Sequence, residues 1–430
     1  MTTLAILGMF VGFLFLRVPV ALAMLFATLV TLVFLVNVPL VVIPQFIVAA
    51  TARFEFLAIP FFILAAELMN STGMTMRIFR FANVLTGWLR GGLMQVNIAA
   101  SVIFAGISGT AVADAAGLGR VQIEAMRRAG YRLPDAAGIT LASCIIGPLV
   151  PPSVIAVIYA ISAEVSVGRM LLAGLAPGLL LAAALMLTVY WRARTGRLYV
   201  PEVVLPTRKE RRIALREGLP AIGAPFIILY GIVSGVITPT EAGVAACVYA
   251  ILVAAFWYRD LTFAHLKASF IRATLASSMI MFIIACASVM SFVITREQAA
   301  NDAVRLLFLI SENFWLQLLL INLFLFLVGC FVEGIPAMLI LIPVMLPLAT
   351  QIGLDPVHFG CILIFNLLVG IITPPMGVGL LIMANITGLS VWSVFRGALP
   401  FLLPLFVTLM LITYVPQISL FLPDLMFGRR

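Results

Sequence analysis

Two pairs of segments place hydroxyls, carboxylates and paired prolines inside otherwise apolar sequence. The first pair is Gly106-Ile107-Ser108-Gly109-Thr110-Ala111-Val112-Ala113-Asp114 and, further along, Gly147-Pro148-Leu149-Val150-Pro151-Pro152-Ser153. The second is Gly329-Cys330-Phe331-Val332-Glu333-Gly334-Ile335-Pro336 and then Gly370-Ile371-Ile372-Thr373-Pro374-Pro375-Met376-Gly377. Adjacent prolines remove two amide donors and push the preceding residue out of the α region, so a helix must unwind at each pair. Unwinding frees carbonyls at the end of one half-helix and amides at the start of the next. Such carbonyls, with the hydroxyls of Ser108, Thr110, Ser153 or Thr373, are hard oxygen ligands able to replace the water shell of a small cation such as Na⁺. The half-helix N-termini favour an anionic group. Asp114 and Glu333 flank the hairpin tips, where a carboxylate is read either as a functional group for cation binding or gating or as a partner for a freed backbone amide. Gly109, Asp114, Pro152, Ser153, Pro374, Pro375 and Gly377 are the candidates for substrate contact or gating.

The elements that carry these residues must lie in lipid. The chain has 430 residues, 63% hydrophobic and 10% charged, with a mean hydropathy of +1.21. That composition cannot coat a water-soluble core, so it excludes a soluble globular domain. The net charge of +9 gathers in short loops between apolar runs, which points to the positive-inside rule and not to nucleic acid. A crossing takes about 20 apolar residues. On that ruler the stretch Leu4–Val36, interrupted at Arg17-Val18-Pro19, is two helices retained as an anchor and not a signal peptide. The remaining runs from Phe54 to Leu422 leave no room for a soluble domain. The basic loops around Arg120–Arg132, Arg192–Arg216 and Arg259–Arg272 should be cytoplasmic, which puts both termini outside, with Arg429 and Arg430 as exceptions. The flanks of each tip, about 15 to 18 residues, suit a re-entrant hairpin better than a crossing. The expected fold is all-α and polytopic, with about 10–12 transmembrane helices and two re-entrant hairpins.

Sliding the sequence against itself by 223 positions superposes Gly106 on Gly329, Gly130 on Gly353, Gly147 on Gly370, Pro151-Pro152 on Pro374-Pro375, Gly174 on Gly397 and Pro177 on Pro400. Gly and Pro encode backbone geometry, so a pattern of breaks and turns is what repeats. The expected division is a first copy over 1–191, a basic linker over 192–218 and a second copy over 219–430. Arg120–Pro134 is basic while its counterpart Gln351–Asp355 carries no Lys or Arg. The copies should therefore be inserted in opposite orientation, as in secondary transporters.

Other polar residues read as structural. Glu67 and Asn70 anchor an amphipathic arm that includes Arg77 and Arg80, Glu241 sits at a solvated outer turn, and His265 and His358 are interfacial. The five cysteines form no CxxC pair and read as small buried hydrophobes. No phosphate-cradling Walker loop is present, so ATP does not drive the chain directly. An intramembrane hydrolase would need a nucleophile with a base or metal ligands in reach, which two histidines and no HExxH motif do not offer.

The runs Gly91–Gly119, Ala129–Ser153, Gly353–Gly360 and Gly370–Leu380 resemble the large membrane subunit of tripartite ATP-independent periplasmic (TRAP) transporters, and the resemblance covers essentially the whole chain. It implies a Na⁺-driven, elevator-type importer of small organic acids of C4-dicarboxylate, sialic acid or keto-acid type, not an enzyme. It would sit in the bacterial inner membrane with a separate small four-helix membrane subunit and a periplasmic solute-binding protein. Carried over from the family, one Na⁺ site would use Ser108, Thr110, Gly147 and Pro151 and the other Glu333, Gly334, Gly370 and Thr373. A stand-alone divalent-anion/Na⁺ symporter of related architecture is the alternative.

Overall fold

The computed structural model describes residues 2–36, 38–201 and 207–428; the side chains of residues 2–4, 107 and 108 lie outside that description. The first copy is α1 (Thr2–Phe15), α2 (Val20–Phe34), α3 (Val42–Thr51), α4 (Ala58–Ser71), α5 (Met74–Thr86), α6 (Leu93–Ser108), α7 (Ala111–Ala116), α8 (Leu118–Arg128), α9 (Leu133–Ser143), α10 (Val154–Ser162) and α11 (Val167–Arg194). The second is α12 (Arg208–Val233), α13 (Pro239–Leu252), α14 (Phe263–Arg296), α15 (Ala299–Ile310), α16 (Phe314–Phe331), α17 (Gly334–Gln351), α18 (Pro356–Gly370), α19 (Val378–Thr387), α20 (Val391–Tyr414) and α21 (Gln417–Phe427). No strand occurs among the described residues.

The shift of 223 carries α7–α8 onto α17, α9–α10 onto α18–α19 and α11 onto α20. It also carries α3–α4 onto α14, with one difference. In the first copy the chain turns out of helix at Arg53, whose backbone is extended, whereas the matching Ala276 lies inside the 34-residue α14. Among the described residues eight helices are long and apolar enough to cross a bilayer by length and composition, including α11, α12, α14, α16, α17 and α20. The fold is that of an all-α, multi-pass membrane protein. The remaining apolar helices are shorter, and α9–α10 and α18–α19 each follow one another across a non-helical break.

Local chemistry explains the boundaries. Arg17 takes a left-handed backbone (φ 63°) just before Pro19 caps α2, so the long N-terminal run divides there. Pro134, Pro239 and Pro356 occupy the first turn of α9, α13 and α18, where the missing amide is not needed. Thr238 and Glu241 form a reciprocal capping box, which is the structural role of Glu241.

Several expectations change. The loop expected around Arg120 is helical to Arg128, and within the basic segment 192–218 the chain is helical to Arg194 and again from Arg208 onward. There Glu124 sits between Arg127 and Arg128; the hydrogen bond from Arg128 leads in holding its carboxyl below the ordinary carboxylate range. His358, foreseen as interfacial, is buried with its Nδ1 2.7 Å from Ser419 Oγ. Glu67 ties α4 to α14 through Arg272 at 2.6 Å. The α5 arm is held by Arg77, which meets Asp260 at 2.5 Å and lies 4.0 Å over the Tyr258 ring. Arg429 and Arg430 fall outside the described residues.

Candidate functional site

In the first copy the tip between α6 and α7 is built by Gly109 in the left-handed region (φ 61°) and Thr110 in an extended one (φ −138°). Thr110 caps α7 by accepting from Ala113 N–H at 3.3 Å. A methyl group on Gly109 would sit 2.8 Å from Val154 N and 3.0 Å from the Pro152 carbonyl, so the tip rests directly on the break of its own copy. Asp114 is fully buried, and its carboxylate lies against the α-carbon of Gly147, where a Cβ would overlap it. Ser153 donates to the Pro148 carbonyl and accepts from Ala156 N–H at 3.2 Å, which makes it the cap of α10. Ser108 is placed by its backbone at the end of α6, and its hydroxyl is outside the described side chains.

The second copy repeats the plan with different chemistry at the tip. Gly370 abuts the backbone of Gly329, and Gly329 in turn lies against Leu367 and Asn366, so the arm α16 and the first half-helix α18 touch main chain to main chain. Met376 N–H donates to the Cys330 carbonyl at 3.3 Å and ties the break to the hairpin. The Thr373 hydroxyl donates to the Val369 carbonyl at 3.0 Å, which leaves its lone pairs for a ligand. Gly377 takes φ 43° to start α19. Glu333 stands exposed at the start of α17 and makes no side-chain cap, in contrast with buried Asp114. The Pro151-Pro152 and Pro374-Pro375 bonds are both cis.

The two breaks differ in access. Residues 144–160, including Gly147, Pro151 and Pro152, are all buried, whereas Thr373 and Pro374 are half-exposed and Pro375 and Met376 exposed. Each second half-helix also crosses over: α10 packs on α17 of the other copy, and α19 packs on α7. A Cβ on Gly334 would be 3.4 Å from Ile155 Cδ1, and one on Gly119 would be 3.1 Å from Met383 Cε. The Tyr159 hydroxyl donates to the Pro356 carbonyl at 2.6 Å, closing the same exchange. Gly109, Val154, Ile155 and Gly334 thus form one continuous contact linking both tips.

Behind each tip lies a buried polar layer that the motif reading passed over. Asn97 Nδ2 donates to Thr140 Oγ1 at 2.6 Å, Ser143 Oγ donates to Asn97 Oδ1 at 2.6 Å, and Ser101 donates to Ser143 at 3.1 Å. In the second copy Asn366 donates to Asn322 Oδ1 at 2.8 Å, and Thr413 donates to the same oxygen at 3.1 Å. Ser143 and Asn366 occupy matching positions. Lone amides inside apolar helices were the available signal, because a polar group in lipid needs an interhelical partner.

The oxygens at the tips and breaks are carbonyls and hydroxyls with one buried carboxylate. Among the described residues no group of three His, Cys, Asp or Glu is placed to hold a metal ion. Such a donor set fits a weakly held monovalent cation better than a transition metal.

Residues 7–418 match the family described as "Tripartite ATP-independent periplasmic transporter, DctM component". The sialic acid TRAP transporter large permease protein SiaM of Vibrio cholerae is 39% identical over 418 residues, 97% of each chain. The C4-dicarboxylate TRAP transporter large permease protein DctM of Pseudomonas aeruginosa is 38% identical over 86% of this chain and 87% of its own. In fold, the chain is similar to the crystal structure of the YdaH transporter of Alcanivorax borkumensis, with a TM-score of 0.61, 14% identity and 88% of each chain covered.

Proposed function

Because the chain belongs to the DctM component family of tripartite ATP-independent periplasmic transporters, we propose that it is the transport core of a Na⁺-coupled importer of a small organic acid, as the names of its sialic acid and C4-dicarboxylate relatives suggest. Those relatives are permease subunits, and the chain is a transport protein, not an enzyme. Its partners are a small four-helix membrane subunit and a periplasmic solute-binding protein. It works in the bacterial inner membrane with both termini periplasmic, and the two hairpins are re-entrant.

The observation that carries this reading is that each tip rests on the unwound segment of its own copy, Gly109 on Pro152–Val154 and Cys330 on Met376, while the second half-helices bind the copies together. A cation held between tip and break orders both at once. Ser108, Thr110, Gly147 and Pro151 supply oxygens for one Na⁺, with the Asp114 carboxylate beside Gly147, and Glu333, Gly334, Gly370 and Thr373 supply those for another. Buried Ser153, already spent as a helix cap, positions the break. The tips, breaks and crossed half-helices move as one body against a scaffold that includes α4, α13 and α14, in an elevator stroke. Each Na⁺ entering down a membrane voltage contributes about 2.3 kcal/mol per 100 mV.

The test is uptake of labelled organic acids into proteoliposomes holding the complex and its binding protein. Replacing Na⁺ by K⁺ at constant voltage should abolish uptake; full uptake without Na⁺ ends the coupling reading. Uptake that needs no binding protein would instead favour a stand-alone divalent-anion/Na⁺ symporter.

A further inference from the structure

Scaffold and hairpins meet along two clefts at matching positions of the two copies. One, about 500 Å³, lies between α3, the turn at Arg53, the end of α14 and α17, and its walls include Arg53, Ser162, Ser291, Thr295 and Arg296 beside the paired rings of Phe46 and Phe292. The other, about 400 Å³, lies between α4, α5, the start of α14 and α8, with Glu67, Asn70, Gly73 and Arg272 in its walls. The shift of 223 carries Gly73 onto Arg296, and Ala49, a wall residue of the first cleft, onto Arg272. Helix α14 contributes to both clefts, Arg272 near its start and Arg296 at its end. At a rise of about 1.5 Å per residue these two arginines stand about 36 Å apart, more than the bilayer's apolar thickness of about 30 Å. The clefts therefore open toward opposite ends of the helix.

Their charges differ. Arg272 is held by Glu67 at 2.6 Å, so the guanidinium in that cleft is already neutralised. Among the described residues Arg296 forms no ion pair, and Arg53 meets only Glu164 at 3.6 Å, a side chain 77% exposed to solvent. The cleft at the end of α14 thus holds two guanidiniums with little compensation, beside hydroxyls and aromatic rings. That combination suits the carboxylate and the polar carbon chain of an organic acid.

We propose that Arg53 and Arg296 form a carboxylate-capture subsite that receives the organic acid before it reaches the tips. The matching cleft, with Arg272 already paired to Glu67, binds the anion weakly and releases it at the other end. This rests on the organic-acid import reading and adds the place and polarity of capture. By the positive-inside assignment, Arg272 lies on the cytoplasmic side with the basic loop before it and Arg296 on the periplasmic side, so capture faces the solute-binding protein.

The test uses the full complex in lipid nanodiscs with Ser291→Cys, an isosteric change on the cleft wall, against a background of native cysteines that are all buried. An anionic methanethiosulfonate should modify position 291 about 10-fold faster than a cationic one, as electrostatic focusing predicts. The preference should vanish with R53Q and R296Q together and survive R53K and R296K. Succinate, but not neutral succinamide, should slow the anionic reagent. A preference unchanged by the glutamines, or a position 291 that neither reagent reaches, overturns the subsite. Should the glutamine variant fail to assemble, raising the salt concentration on the parent reads the same field: the preference must decay if the arginines create it. A glutamine variant that loses the preference yet keeps Na⁺-driven uptake at the parent's rate defeats the subsite alone, because capture there then contributes nothing to import. Preserved preference without organic-acid uptake defeats the import reading and leaves an anion-attracting cleft.

Discussion

Gly370→Ala probes the contact between the second hairpin and its break with a single methyl group. The added Cβ would lie 2.6 Å from the Gly329 α-carbon and closer still to its carbonyl. Ordinary carbon contacts begin at about 3.5 Å, so the two backbones must part by about 1 Å. Neither side can yield by turning a rotamer, since both groups are main chain, and overpacking of this kind costs about 1–3 kcal/mol. If the strain is relieved by lifting the hairpin from the break, the Na⁺ site proposed there opens, and the same energy is expected as an apparent Na⁺ affinity lowered about 5- to 150-fold. If it is not relieved, the protein melts earlier. The assay is paired: Na⁺-dependence of uptake in proteoliposomes and thermal unfolding in detergent. Gly12→Ala is the control, because nothing lies within 4 Å of its added Cβ and its backbone is helical. It should be neutral or stabilising by up to about 1 kcal/mol. A Gly370→Ala protein with unaltered Na⁺-dependence and unaltered melting would show that α16 and α18 are not in the close contact described.

Three further outcomes are expected. Asn97→Ala removes two side-chain hydrogen bonds joining α6 to α9 and should lower stability by about 1–2 kcal/mol, at about 0.6 kcal/mol per interhelical bond in lipid plus the cost of the Thr140 hydroxyl that loses its donor, Ser143 keeping Ser101 and the Thr140 carbonyl; an unshifted melting curve counts against the network. Thr373→Val keeps shape but deletes a candidate Na⁺ oxygen, and should raise the Na⁺ concentration for half-maximal uptake by about tenfold, the equivalent of about 1.4 kcal/mol. Equal Na⁺-dependence in Thr373→Val and wild type would remove Thr373 from the site. For the arm, a double-mutant cycle of Arg77→Ala and Asp260→Ala should return about 0.5–1 kcal/mol of coupling, modest because Asp260 is 42% exposed. Zero coupling would mean that the Tyr258 ring and the Thr72 carbonyl, 2.8 Å from Arg77 Nη1, hold the arginine without Asp260.

Much of the architecture could be read locally. Paired prolines cannot remain in a helix, a glycine is favoured where the chain turns left-handed, and a chain with so few charges needs lipid; each rule acts within a few residues. They placed the breaks at Pro151-Pro152 and Pro374-Pro375, the turn at Arg17-Pro19, and the repeat of α6–α11 in α16–α20. The polar partners were less legible. Asn97, Ser143, Asn322 and Asn366 carry no motif, and their meaning lies in residues more than forty positions away.

Tertiary structure decided what the repeat conceals. Matching positions do not share an environment: Ser153 is a buried cap and Met376 is exposed, half-buried Thr110 caps its helix while Glu333 stands exposed and caps nothing, and Gly73 answers to Arg296. Which helix faces another was also out of reach, as in the approach of α9 to α20, where a Cβ on Gly138 would strike the Gly397 backbone and one on Gly397 the Pro134 backbone. The physical reason is the solvent. In water, hydrophobic periodicity marks the buried face of a helix, but lipid tails are as apolar as a protein core, so the pattern falls silent and only small residues and scattered polar groups hint at contact. The sequence therefore determined where the backbone breaks and that it spans a membrane. Packing between the copies determined which of those breaks is closed, which is open, and which arginines share a cleft.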